Sequence, residues 1–116
     1  MRHVTVHVRD LDASISFYLK HIGLHIARDL REMGPQIVFL AQEDDGARLE
    51  LVGGMEPYFS GGGISVGFEI DDLEGKRDEL LAAGLEVTPV ISPNPHTKFF
   101  FVTDPDGFQV QLIRED

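Results

Sequence analysis

Val4, Val6 and Val8 alternate with His3, Thr5 and His7 at the start of the chain. Successive side chains of a strand point to opposite faces, so this pattern predicts a strand with one apolar and one polar face. The period then changes. Ile15, Tyr18, Leu19 and Ile22 recur at helical spacing. Asp12 is positioned to cap that helix, because its carboxylate can accept from the free N–H groups of the first turn. Gly23 supplies the left-handed residue that closes it. Three further strands are predicted, at 24–31, 36–42 and 48–52.

The same succession returns. Residues 4–26 and 65–87 each read as an alternating strand, Asp-Leu, a helical stretch, Gly-Leu and a second strand. Asp10-Leu11 recurs as Asp72-Leu73, and Gly23-Leu24 as Gly84-Leu85, after one deletion. Asp45-Gly46 recurs as Asp106-Gly107, and Leu49-Glu50-Leu51 as Val110-Gln111-Leu112. Asp72 caps the second helix, Leu73, Leu80 and Leu81 form its stripe, and Gly84 closes it. Its strands are expected at 86–91, 99–102 and 108–113, with Asp-rich turns before the last strand of each copy. Two copies of a long repeat mean two structural modules rather than a solenoid. The predicted order is βαβββ, twice, an α+β chain. Module one covers about 1–53, module two about 64–116, and a linker of five glycines and one proline joins them over 53–63.

Composition narrows the possibilities. The chain has 116 residues with 42% apolar content, enough for one domain with a real core. No run approaches the roughly eighteen apolar residues of a membrane span. Met1 leads directly into a strand pattern, without the form of a signal peptide. Cysteine is absent. That excludes disulfides, thiolate metal sites and cysteine nucleophiles, and fits a cytoplasmic location. The formal net charge of −10 repels phosphate backbones and anionic lipid, which argues against nucleic-acid and membrane partners.

The candidate chemistry lies on the polar faces. His3, Thr5 and His7 share one face of the first strand, and Ser65, Gly67 and Glu69 share the matching face of its repeat. Arg48, Glu50 and Val52 correspond to Gln109, Gln111 and Ile113. The opposite faces are apolar and need the helices as cover, which turns the polar faces toward a common concave side. The repeat pairs His3 with Ser65, Glu50 with Gln111, and His7 with Glu69. An imidazole and a carboxylate meeting in one cleft are donors that a Zn, Ni, Fe or Mn ion takes. The open alternative is a sheet face that is merely wet.

The segments His3-Val4-Thr5-Val6, Asp10-Leu11, Ser16-Phe17-Tyr18, Gly23-Leu24, Leu49-Glu50-Leu51 and Phe101-Val102-Thr103-Asp104-Pro105-Asp106-Gly107 together resemble the vicinal oxygen chelate superfamily. This is the superfamily of glyoxalases, bleomycin-resistance proteins and extradiol dioxygenases. The resemblance covers essentially the whole chain and is greatest to bacterial glyoxalase I, the lactoylglutathione lyase. It implies a single domain of two βαβββ modules forming a cup-shaped mixed sheet, a site inside the cup, and a homodimer. The four ligand positions of glyoxalase I carry over to His3, Glu50, Ser65 and Gln111. Two differ from the enzyme's pattern, which has histidine at Ser65 and glutamate at Gln111. A serine hydroxyl stays protonated at neutral pH, and a glutamine amide takes up no proton. His7 stands where the enzyme has an arginine for a glutathione carboxylate.

Three readings follow. In the first, His3, Glu50 and Gln111 bind a divalent ion and Glu50 serves as ligand or base, with Thr5, His7, Arg48, Ser65, Glu69 and Gln109 lining the cleft. The chain is then a metal-dependent lyase, isomerase or dioxygenase acting on a small molecule with vicinal oxygens. In the second, the chain is a metal-free protein that sequesters a small molecule, as in the bleomycin-resistance branch. Its acidic surface then suits a cationic or neutral ligand, and Phe39, Tyr58, Phe59 and Phe100 are either stacking surface or core. In the third, His7, Glu69 and His96 build a different site, with His96 on a proline-flanked loop. His21 and His25 read as structural.

Overall fold

The computed structural model describes residues 1–116. The chain forms two compact units, Met1–Ser60 and Gly61–Asp116. In the first, β1 (His3–Val8) leads into α1 (Leu11–Phe17), followed by β2 (His25–Asp29), β3 (Ile37–Ala41) and β4 (Arg48–Gly53). The sheet order is β1-β4-β3-β2, with β1 parallel to β4 and the other pairs antiparallel. The second unit repeats the scheme with β5 (Ser65–Glu69), α2 (Leu73–Ala82), β6 (Ile91–Asn94), β7 (Thr97–Thr103) and β8 (Gln109–Glu115), in the order β5-β8-β7-β6. The α+β architecture of two βαβββ modules, each a four-stranded mixed sheet, is the one the repeat predicts.

Burial follows the alternation. Val6, Val8, Val38, Leu40, Leu49 and Leu51 are buried on the apolar side of the first sheet, with Leu11, Ile15, Tyr18 and Ile22 of the helical segment also buried. In the second unit Phe100, Val102, Phe108, Val110 and Leu112 are buried. Leu73 and Leu80 are the buried residues of α2. Each fully buried aliphatic side chain of this size contributes about 1.5–3 kcal/mol. Leu81, expected in the same stripe, is 47% exposed. Neighbouring helix positions lie about 100° apart, so Leu81 falls beside the face that Leu73 and Leu80 define.

Three expectations need correction. The cap of α1 is Asp10 rather than Asp12, with Asp10 Oδ1 accepting from the Ala13 N–H at 3.1 Å. Buried Leu11 starts the helix two residues earlier, which moves Asp12 into the first turn. There its charge faces the positive end of the helix dipole. The helix reaches Ile22 as expected, but Tyr18–Ile22 is a π turn. The N–H groups of Gly23 and Leu24 both return to the Tyr18 carbonyl at 3.0 Å. Gly23 then takes φ +89°, and Gly84 takes φ +82° after α2, both as predicted closing residues.

The third correction concerns 86–91. No ladder forms there; the edge strand is β6, Ile91–Asn94, and Val87 makes only an isolated bridge to Val102. Pro89 has no N–H to offer a neighbouring strand. Thr88 substitutes a side chain for the backbone, its hydroxyl accepting from the Phe101 N–H at 2.9 Å. The Thr88 carbonyl meanwhile accepts from Arg77 Nε of α2 at 2.8 Å.

Candidate functional site

Strand register places the candidate residues of the first unit in rows. Thr5 of β1 lies beside Glu50 of β4, Glu50 beside Phe39 of β3, and Phe39 beside Arg28 of β2. One step along, His3 lies beside Arg48, and Arg48 beside Ala41. Directly paired residues share a face. The polar face predicted for β1 and β4 therefore exists, and it continues across the sheet to Arg28.

On that face His3 Nε2 stands 3.4 Å from Glu50 Oε1. The Thr5 hydroxyl donates to the same oxygen. Glu50 is the more enclosed partner, its side chain 15% exposed against 40% for His3. The His3 ring meets the Phe39 ring edge-to-face, with centroids 5.5 Å apart. His3, Thr5 and Glu50 are thus brought together on one face of the first sheet by the pairing of β1 with β4.

His7 is engaged elsewhere. Its Nδ1 lies 2.9 Å from the Met55 carbonyl oxygen. A carbonyl only accepts, so Nδ1 carries the proton and donates it. The Phe59 N–H donates to the His7 carbonyl at 2.9 Å, and Arg9 Nη1 donates to the Phe59 carbonyl at 3.0 Å. The Arg9 guanidinium also stands 5.6 Å from the centre of the Tyr58 ring, within cation–π range. His7 and Arg9 therefore hold residues 55–59 against the end of β1.

In the second unit Ser65 pairs with Gln109, and Gly67 with Gln111. The missing side chain of Gly67 gives Gln111 its room. A Cβ built there would lie 2.9 Å from Gln111 Oε1. Gln109 Nε2 donates to the Thr103 hydroxyl at 3.0 Å, which fixes Gln109 against its own sheet. Glu69 is exposed at the end of β5. His96 sits at the tip of the tight β6–β7 hairpin rather than on a longer loop. Its N–H donates to Asn94 Oδ1 and its carbonyl accepts from the Asp116 N–H, both at 2.8 Å.

The superfamily pattern implies a metal, and the donors can be tested against it. Two ligands about 2.0–2.1 Å from one ion at a tetrahedral angle stand roughly 3.3 Å apart. The His3–Glu50 separation of 3.4 Å matches that spacing. It also exceeds the roughly 2.8 Å of a good charge-assisted hydrogen bond. The Thr5 hydroxyl supports the carboxylate as second-layer donors do in metal sites. No group of three or more His, Asp or Glu side chains is gathered in the chain. The pair fits a divalent ion, with any further donors neutral.

A cleft of about 400 Å³ opens beside His3, lined in part by Arg2, Arg28, Phe39, Asp44, Asp45 and Arg48. Of these, only Arg48 and Phe39 are singled out by the sequence. Arg28 is hidden from a simple count. A bulge between Ile26 and Arg28 shifts the register, so Arg28 pairs with Phe39 rather than falling on the opposite face.

Two βαβββ modules with donors on the polar face of the first define a glyoxalase-type architecture. The chain belongs to the Glyoxalase/Bleomycin resistance protein/Dioxygenase superfamily, whose family model matches residues 1–112. It is 34% identical to a probable lactoylglutathione lyase of Vibrio parahaemolyticus, over 97% of this chain and 88% of that protein. It is 33% identical to the lactoylglutathione lyase of Haemophilus influenzae, over 96% of this chain and 89% of that protein. Among solved structures, the trypanothione-dependent glyoxalase I of Leishmania major superposes with a TM-score of 0.79 at 25% identity, over 99% of this chain and 86% of that one. No helix is long and apolar enough to cross a membrane.

Proposed function

We propose that the chain is a glyoxalase-like protein in which His3 and Glu50 hold a divalent ion and act on a small molecule with adjacent oxygens. The observation that carries this reading is the 3.4 Å His3–Glu50 separation, with the Thr5 hydroxyl fixing the carboxylate. The family pattern adds the Gln111 carbonyl as a neutral third donor, with water or Ser65 completing the shell. When bound, such an ion acts as a Lewis acid toward oxygens of the substrate.

The residues of the chain divide the remaining work. Glu50 is the one carboxylate at the four family ligand positions, so it is the group there that can accept a proton from a carbon beside a carbonyl. Thr5 orients it. Ser65 and Gln111 offer oxygens and no base. This set carries one formal negative charge, where the glyoxalase I pattern carries two. Metal affinity is accordingly lower, and the two-carboxylate proton relay of a full isomerase is missing. The lyase relatives support enzymatic chemistry on this fold. The Ser65 and Gln111 positions support the second reading, a metal-free binding protein of the bleomycin-resistance type. We further propose a homodimer, by the family pattern, to be checked by light scattering.

Metal titration against a chromophoric chelator separates the two readings. Wild-type protein is expected to compete for Mn, Ni, Zn or Fe(II), while His3→Ala and Glu50→Ala lose affinity by more than about tenfold. Gln111→Glu is expected to tighten binding by adding a second carboxylate. Failure of wild type and Gln111→Glu alike to compete would favour the metal-free reading.

A further inference from the structure

We infer that the substrate is a small organic anion, carrying a carboxylate or phosphate that Arg2, Arg28 and Arg48 hold in the cleft beside His3. This deepens the proposed function, and rests on it only for placing the ligand's other end at His3 and Glu50. The argument begins from charge. Acidic residues outnumber Lys and Arg by 20 to 10, yet three of the seven arginines line one cleft.

The other four arginines are committed to partners within the chain. Arg9 binds the Phe59 carbonyl, Arg31 binds Asp29 and Asp12, Arg77 binds the Thr88 carbonyl, and Arg114 binds Asp71 and Asp116. The guanidinium groups of Arg2, Arg28 and Arg48 have no hydrogen bond or ion pair within the chain. Two acidic side chains share the lining. Asp44 is taken by His25, Nε2 to Oδ1 at 3.1 Å, while Asp45 is exposed on the adjoining turn. Three unpaired arginines therefore share the lining with two carboxylates, one of them held by His25, which leaves the cleft with a surplus of positive charge.

The cleft is sized for a small molecule, since such sites begin at about 300 Å³. Register brings its parts together. Arg28 and Glu50 flank Phe39 on one row, and Arg48 lies beside His3 on the next. A ligand anchored by its anionic end on the arginines thus passes Phe39 to reach His3 and Glu50. Guanidinium groups suit this task because their paired N–H donors match carboxylate and phosphate oxygens. The acidic character of the chain as a whole suggests a cationic or neutral ligand; the local charge of this cleft reverses that expectation.

The test uses three defined probes on the intact 116-residue chain, followed by isothermal titration with EDTA and again with added Mn. L-Tartrate and 3-phosphoglycerate carry anionic groups and vicinal oxygens; L-threitol is the neutral counterpart of tartrate. At least one anion is expected to bind in both conditions, and threitol not to bind. Arg28→Gln/Arg48→Gln is expected to weaken that binding by tenfold or more, with its melting temperature and metal content unchanged. Arg28→Lys/Arg48→Lys should recover part of the loss. Equal binding of threitol, no binding of either anion, or undiminished binding by the double glutamine variant would overturn the proposal. Anion binding that persists in the double variant but vanishes in His3→Ala would overturn the arginine cleft while leaving the metal reading intact. Binding by the arginines without any retained metal would do the reverse.

Discussion

At the scale of single residues, the proposed function rests most on Glu50, whose carboxylate accepts a hydrogen bond from the Thr5 hydroxyl. Replacing Thr5 by valine keeps the shape and removes the hydroxyl. Metal affinity is expected to fall by about 10–100-fold, the range for losing a supporting hydrogen bond to a ligand. A chelator competition assay reads this directly, and an unchanged affinity would mean that Thr5 does not position the carboxylate. Asp104 acts structurally. It is 5% exposed, and its Oδ1 accepts from the N–H groups of Asp106 and Phe108 at 2.8 and 2.9 Å. Asp104→Ala strands buried donors and should cost about 1–3 kcal/mol in urea denaturation. The meeting of Glu50 and Thr5 was partly legible in the sequence. Alternation puts Thr5 with His3 and Glu50 with Arg48, but it is silent on which strands are neighbours. Only the parallel pairing of β1 with β4 brings Thr5 to Glu50.

Elements were legible where period and punctuation agree. Asp72 caps α2 as expected, its Oδ1 accepting from the Gly75 N–H at 3.1 Å. A Cβ at Gly75 would run into the Asp72 carboxylate. Asp72→Ala should therefore cost about 1 kcal/mol in wild type and clearly less in a Gly75→Ala background, where the cap is already displaced. Equal costs in a double-mutant cycle would show that the cap tolerates the methyl group. The sequence fails where a side chain replaces a backbone partner, as Thr88 does beside Pro89, or where a bulge breaks parity, as between Ile26 and Arg28.

The turn after β2 holds a clamp that composition cannot show. Arg31 Nη2 donates to Asp29 Oδ2 at 2.7 Å. The Arg31 side-chain hydrogen bonds, with a smaller contribution from its backbone N–H, lower the Asp29 pKa from 3.8 to about 2. A lowered folded-state pKa means that this contribution to stability is fully present above about pH 4 and disappears as pH falls through about 2. An NMR titration of the Asp29 carboxyl carbon should show a midpoint near 2, moving toward 3.8 in Arg31→Gln. A midpoint near 3.8 in wild type would dissolve the clamp.

For the molecule as a whole, the repeat was the most informative signal in the sequence, because it names equivalent positions without any knowledge of their neighbours. It shows that the two modules carry different residues at the positions where the glyoxalase I pattern has its ligands. The first keeps His3 and Glu50; the second has Ser65 and Gln111, with Gly67 leaving room for the glutamine amide. Charge is also unequal. A chain of net charge −10 leaves three arginines unpaired at one cleft. Net charge was readable from composition, but its local reversal depends on sheet register and on which arginines find carboxylates.

The central claim is that His3 and Glu50 hold a metal ion. It is tested most directly by elemental mass spectrometry of protein purified without a histidine tag, after exposure to Mn, Ni, Zn and Fe(II) in turn. The account predicts a near-stoichiometric ion in wild type for at least one metal, lost in both His3→Ala and Glu50→Ala. No retained metal under any condition, or metal retained undiminished in both variants, would contradict it.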